Sequence, residues 1–418
     1  MCVCQQFEKS LHYISPSHGG WGVIRVAALL PESYMLFVAP FACGRHGALG
    51  GIINKVKNRI SYLYIDESDI VSGDYEHLVP EAVSELFSVL EKKPKVLCIF
   101  VSCLDDLLGT DHEALNAALH QKFPETNFLS CHMNPLQGDT NTPPQVGLQN
   151  ALYSLLELRE KNKKQINIIG NNAYLRSECE IFSLLKEHGI FSKHIGLCKT
   201  YDEFLSMSES SVNLVLSPIA TQAAKNLERD LQMPFLLSYV SYDLDEIEND
   251  YKKVEQFFNV KFKKLPEYKM RAEQKIIATQ KIIGKTPIAL DYQATKKACT
   301  LANTLLHFGF NVVLIAAQNE IPEFEKTAYE HLKLNFPDVK IVDILSHSSA
   351  RFPSGFENCL CIGFDVAYMT GSTHVVSILD DEGLYGFYAI EFLMDEIVRA
   401  FETESNLEKI VKEAGLVV

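Results

Sequence analysis

Residues 212–237 read VNLVLSPIATQAAKNLERDLQMPFLL. The β-branched run VNLVL reads as a buried strand, the Ser-Pro pair ends it, and the following segment ATQAAKNLERDLQ has the spacing of a helix with one apolar face. FLLSYVS then restarts a strand. A strand returning after a helix-length crossover implies a parallel pair. The same alternation runs upstream through INIIG (166–170), SECEIFSLLKEHG, FSKHIGLC and YDEFLSMSE, giving βαβαβ winding. It recurs in the last third: TPIALDY (286–292), helix ATKKACTLANTLLHFG, strand FNVVLIAA, helix PEFEKTAYEHLKLN, strands VKIVDILS and NCLCIGFD, and a closing helix GLYGFYAIEFLMDEIVRAFE. Nearer the start, VLCIFVSC (96–103) and NFLSC (127–131) read as strands, and QVGLQNALYSLLELREKNKK as one amphipathic helix. The expectation is an α/β protein of three Rossmann-like domains, with parallel sheets covered on both faces around a central cleft. Their bounds are 1–150, 151–285 and 286–418, with residues 242–283 forming a charged helical connector.

The chain has 418 residues, 47% hydrophobic and 22% charged, which suits several ordinary globular domains. A formal net charge of -14 argues against a nucleic-acid binder, which needs a basic face. No apolar run is long enough to span a membrane, and the start MCVCQQFEKSLHY lacks a signal-type pattern, so a cytoplasmic protein is expected. Neither G-x-G-x-x-G between a strand and a helix nor a P-loop occurs, so any nucleotide is expected on another chain. Eleven dispersed cysteines do not form a disulfide framework; they read as buried thiols or metal ligands.

Two cysteines occupy matched positions. Cys43 follows YMLFVAPFA and precedes GRHGALGG; Cys103 follows VLCIFVS and precedes LDDLLGTD. In a parallel sheet the carboxyl ends of strands share one edge, so thiols placed there can converge on iron-sulfur or zinc. The alternative is that each is a small buried hydrophobe. The glycines of GGWG and GALGG read as turns. Cys131 reads as a strand-end thiol, and Cys98, Cys179, Cys198, Cys299, Cys359 and Cys361 as core. His132 and Asp139, in CHMNPLQGD, fall on an expected loop at the strand edge, either as a proton donor or as part of a solvated polar loop.

HGGWGVIRVAALLPESYMLFVAPFAC with GRHGALGG resembles the first cluster-binding segment of nitrogenase component 1 proteins, most closely the dark-operative protochlorophyllide reductases. YLYIDESDIVSGD, KVLCIFVSCLDDLLGTD, QINIIG, NLVLSPIATQAAKNLERDLQMPF and GLYGFYAIEFLMDEI extend the resemblance along nearly the whole chain. It implies an iron-sulfur cluster shared between two subunits. By position Cys43 matches the family's second cluster cysteine and Cys103 its third, while His18 falls where the first is expected. Three readings of His18 stay open: an imidazole ligand to iron, a bystander beside a [4Fe-4S] cluster held by Cys43 and Cys103 of two chains, or a degenerated site. Cys2 and Cys4 are candidate substitute ligands from the N-terminus. Ser217 stands where nitrogenase's cofactor-binding cysteine is expected and His374 lies near its histidine, which argues against dinitrogen reduction.

The function the resemblance implies is that of the catalytic component of a two-component reductase. It would work as a homodimer, or as a heterotetramer with a paralogous subunit. Electrons would come from an ATP-hydrolysing iron-sulfur reductase protein, and the substrate would be an unsaturated small molecule such as a tetrapyrrole. The alternative is a non-catalytic scaffold or carrier for an iron-sulfur cluster or metallocofactor.

Overall fold

The computed structural model describes residues 11, 13, 15, 17, 22–72, 75–133, 144–317, 321–351 and 355–416. Among these, thirteen strands form three sheets, and every strand pairing within them is parallel. By compactness the chain groups into two units, one built on the first two sheets and the other on the third. No helix among the described residues is long and apolar enough to cross a membrane.

The first sheet contains β1 (Ser33–Ala39), β2 (Ile60–Tyr64), β3 (Val96–Val101) and β4 (Asn127–His132) in the order β2-β1-β3-β4. The helices of this segment are α1 (Gly22–Leu29), α2 (Phe41–Ile53), α3 (Glu67–Ser72), α4 (Tyr75–Val89), α5 (Cys103–Leu108) and α6 (His112–Lys122). All six residues of β3 are buried, which explains its unbroken apolar sequence. Leu36, Val38, Leu97, Ile99 and Val101 pack with Val79, Val83 and Phe87 into one core. Phe37 and Phe100, paired in register, stack with ring centroids 4.8 Å apart.

The glycines after Cys43 lie within helix α2, contrary to the turn expected from their sequence. Their role is close approach. A Cβ on Gly44 would come within 2.8 Å of the Tyr64 ring, one on Gly47 within 2.9 Å of Phe37, and one on Gly51 within 2.6 Å of Ile60. Positions 44, 47 and 51 share one helical face, so α2 lies directly on β1 and β2 only because that face has no side chains. Propensity alone would break such a helix; packing overrides it.

The second sheet has β5 (Asn162–Ile169), β6 (Phe191–Lys193), β7 (Ser210–Val215) and β8 (Phe235–Leu237) in the order β6-β5-β7-β8. The helix expected over 145–164 spans only Pro144–Tyr153. Its charged tail instead joins the sheet: Asn162 pairs with Ser210, Lys161 Nζ donates to the Ser208 carbonyl at 2.6 Å, and Arg159 pairs with Glu209 at 3.2 Å.

The third sheet has β9 (Pro287–Asp291), β10 (Asn311–Ala317), β11 (Lys340–Asp343), β12 (Leu360–Ile362) and β13 (Val375–Val376) in the order β11-β10-β9-β12-β13. Its compact unit includes residues 175–190, although these lie between β5 and β6 in sequence. Glu180 from that segment accepts hydrogen bonds from the backbone N–H groups of Phe387 (2.6 Å) and Tyr388 (3.1 Å) and from the Tyr251 hydroxyl (2.8 Å). It therefore caps the helix Gly386–Glu402 with a buried carboxylate.

Buried carboxyl groups give this unit a pH dependence. Asp381 is 4% exposed and accepts from the Tyr242 hydroxyl at 2.7 Å and the Thr295 hydroxyl at 2.8 Å. Burial pushes its pKa up to about 7. A carboxyl whose folded-state pKa exceeds its unfolded value binds its proton more tightly when folded. Its contribution is full below the unfolded pKa, near 4, and is lost as pH rises through about 7. Stability is expected to decline between about pH 4 and about pH 7, and Asp381→Asn to shallow that decline by on the order of 4 kcal/mol in unfolding free energy. Calorimetric scans across this range check both statements; an unchanged slope in the variant assigns the dependence elsewhere.

Candidate functional site

The carboxyl edge of the first sheet gathers the residues of chemical interest. Strands β1 and β3 are neighbours, with Val38 opposite Val101. Cys43 lies in the first turn of α2, four residues past β1, and its N–H donates to the Pro40 carbonyl at 2.9 Å. Cys103 opens α5, two residues past β3. Adjacent parallel strands thus deliver both cysteines to the same edge, and both are half-buried. Apolar side chains stand exposed beside them in sequence: Phe41 at 68%, Leu107 at 82% and Leu108 at 40%. His18, Cys2, Cys4 and Asp139 lie outside the described residues.

The other described cysteines have different surroundings. Cys98, Cys131, Cys179, Cys299, Cys359 and Cys361 are buried, and Cys198 is half-buried. A hydrogen bond with Cys98, then burial, raises the Cys131 thiol well above its ordinary pKa. Burial pushes Cys179, Cys299 and Cys361 up to about 12 and Cys198 and Cys359 up to about 11. These are protonated thiols near neutral pH, and the thiolate is the form that ligates metal.

The same edge carries three residues whose grouping depends on the fold. Asp105 in α5, His112 at the start of α6 and His132 at the end of β4 each place a ligand atom within 4.8 Å of the other two. His112 Nε2 and Asp105 Oδ2 are hydrogen-bonded at 2.5 Å, and the two imidazole rings meet edge to face with centroids 4.9 Å apart. His132 is thus the last residue of a strand, opposite Val101, and not part of the expected loop. Asp105 and His112 carry no sequence signature; their only signal was position, downstream of Cys103 within LDDLLGTDH.

Ser217 sits half-buried just past β7, in extended conformation before the turn Pro218–Ala220. In the third-sheet unit His374 Nδ1 lies 2.7 Å from the Ala400 carbonyl and donates to it, tying the segment before β13 to the helix Gly386–Glu402.

Parallel α/β sheets, with two cysteines delivered to one strand-end edge, define a class of protein that places its chemistry at the carboxyl ends of parallel strands. The chain belongs to the nitrogenase component 1 type oxidoreductase family, whose model matches residues 20–349. The nitrogenase iron-molybdenum cofactor biosynthesis protein NifE of Clostridium pasteurianum is 22% identical over an alignment of 307 residues that covers 69% of this chain and 65% of that protein's length. A solved structure named Nitrogenase Cp1 at pH 6.5 is similar with a TM-score of 0.74 and 16% identity, covering 94% of each chain. Nitrogenase Cp1 at pH 5 is similar with a TM-score of 0.65 and 15% identity over 96% of this chain and 90% of that one. These two likenesses establish the shared α/β fold.

Proposed function

We propose that this chain is the catalytic component of a nitrogenase-like two-component reductase, with Cys43 and Cys103 of two copies holding one [4Fe-4S] cluster. The observation that carries the reading is the arrival of two half-buried cysteines at one edge from adjacent parallel strands. Two thiolates per chain are half the ligand set of a cubane cluster, and a two-fold axis supplies the rest. The exposed Phe41, Leu107 and Leu108 fit this arrangement, because a second copy covering them would also keep water from the site. When bound, the cluster supplies low-potential one-electron chemistry.

In this reading the pair is a homodimer, or part of a heterotetramer with a paralogous chain, in the cytoplasm. The domain bounds 1–150, 151–285 and 286–418 belong to the same reading, each segment carrying one of the three sheets. The absence of a nucleotide-binding motif in the sequence supports a separate ATP-hydrolysing iron-sulfur protein as electron donor. The substrate is an unsaturated small molecule such as a tetrapyrrole. Dinitrogen is disfavoured because a serine at 217 is a poor ligand for iron.

A second reading, a scaffold that holds a cluster or cofactor precursor and hands it on, is favoured by the likeness to a cofactor biosynthesis protein. The two separate in one experiment. Anaerobically purified protein is expected to be brown, with about four irons per two chains and a reduced-cluster EPR signal. With an ATP-dependent iron-sulfur reductase protein added, the reductase reading predicts repeated substrate turnover, whereas a scaffold gives only stoichiometric loss of iron to an acceptor. A colourless preparation without iron rejects both.

A further inference from the structure

We propose that Asp105, His112 and His132 form a mononuclear binding site for a first-row divalent transition metal, distinct from the cysteine pair. The donor set is two imidazoles and one carboxylate, which matches zinc-type sites that leave a further position for water. All three ligand atoms lie within 4.8 Å of one another. Asp105 has a side chain only 1% exposed, and a carboxylate so deeply placed is held by pairing or by a metal. The Asp105–His112 hydrogen bond accounts for two of the three groups. The second imidazole, His132, is brought from a different element and meets the first edge-on with ring centroids 4.9 Å apart.

Each ligand is positioned by the fold independently of the others. Asp105 is carried by α5, His112 by an α6 whose first turn is capped by Asp111 accepting from the Ala114 N–H at 2.9 Å, and His132 by the β3–β4 register. Binding asks for a small adjustment. Metal–ligand bonds of about 2.0–2.1 Å in tetrahedral geometry place neighbouring donors about 3.3 Å apart. The Asp105 and His112 atoms, now 2.5 Å apart, would open by less than about 1 Å while His132 closes in. Cys103 is not part of this set: two positions apart on a helix, Cys103 and Asp105 point about 200° from each other.

The test is Co2+ titration of the metal-stripped full chain in a Cys43→Ser/Cys103→Ser background, where those thiolates cannot contribute. One cobalt per chain is expected, with tetrahedral ligand-field bands, no thiolate charge transfer, and displacement by Zn2+. His112→Ala and His132→Ala, both at half-buried positions, are expected to keep the far-UV circular dichroism of the parent and to weaken binding by about 100-fold or more. X-ray absorption on the zinc-loaded Cys43→Ser/Cys103→Ser protein, which keeps all three proposed ligands, should show only nitrogen and oxygen neighbours, including imidazole. Equal cobalt affinity in the His112→Ala/His132→Ala double variant, a sulfur shell, or no stoichiometric binding overturns the proposal.

Discussion

Cys43→Ala and Cys103→Ala are each expected to yield a folded, colourless protein that has lost nearly all its iron and acid-labile sulfide. A cubane cluster takes four thiolates, and a symmetric pair of chains offers two from each. Removing one cysteine from the sequence removes two ligands from the assembled site, so the expected loss is close to complete, not half. Both positions are half-buried, so the truncation itself costs the chain little beyond one small contact each. Cys131→Ala and Cys359→Ala supply the contrast. Their thiols are buried and held in the protonated form, so iron content should stay at the wild-type level while stability falls modestly. Iron and sulfide analysis with EPR after dithionite, on all four variants, decides the matter. A cluster that survives both Cys43→Ala and Cys103→Ala rejects the ligand assignment. His18→Ala adds a separate reading: loss of the cluster or a large shift in its potential identifies a ligand, and little change identifies a bystander.

Gly363→Ala is expected to unfold the third-sheet unit or to leave it severely destabilised. Gly363 follows β12 and precedes the helix Phe364–Thr370, at φ 111°. A Cβ there would lie 2.2 Å from Asp291 Oδ1 and 2.4 Å from its Cγ. Asp291 cannot withdraw. It is fully buried, and its two carboxyl oxygens accept the N–H groups of Ala294 at 2.9 Å and Val366 at 3.1 Å. Burial and the neighbouring Asp365 raise its pKa, so the group is already costly to keep charged. Strain at φ and a clash with an immovable carboxyl act together, and the loss should exceed about 4 kcal/mol. For a unit of this size that is a fall of about 8–16 °C in melting temperature. Gly371→Ala isolates the first contribution. Its φ is 71°, and a Cβ there would meet nothing within 4 Å, so only about 1–2 kcal/mol is expected. Similar losses in the two variants would mean that the contact with Asp291 relaxes and the explanation is wrong.

The sequence by itself determined the class of fold and where the cysteines would stand. Runs such as VNLVL and VLCIFV are too apolar for a half-exposed strand, and the helices between them are long enough to force parallel pairing, so all-parallel sheets followed from local pattern. Once the strands are parallel, Cys43 and Cys103 must arrive at one edge, because each closely follows a strand. Three features were decided only by tertiary structure. GRHGALGG became helix because its glycines meet Tyr64, Phe37 and Ile60 on a single face. Residues 175–190 left the series of the second sheet because Glu180 is satisfied by backbone N–H groups some two hundred residues later. Asp105, His112 and His132 met because strand order places β4 beside β3. Hydrophobic period is a local property that a sequence displays directly. Which surfaces touch is fixed by contacts between distant segments, whose energies no window of residues contains.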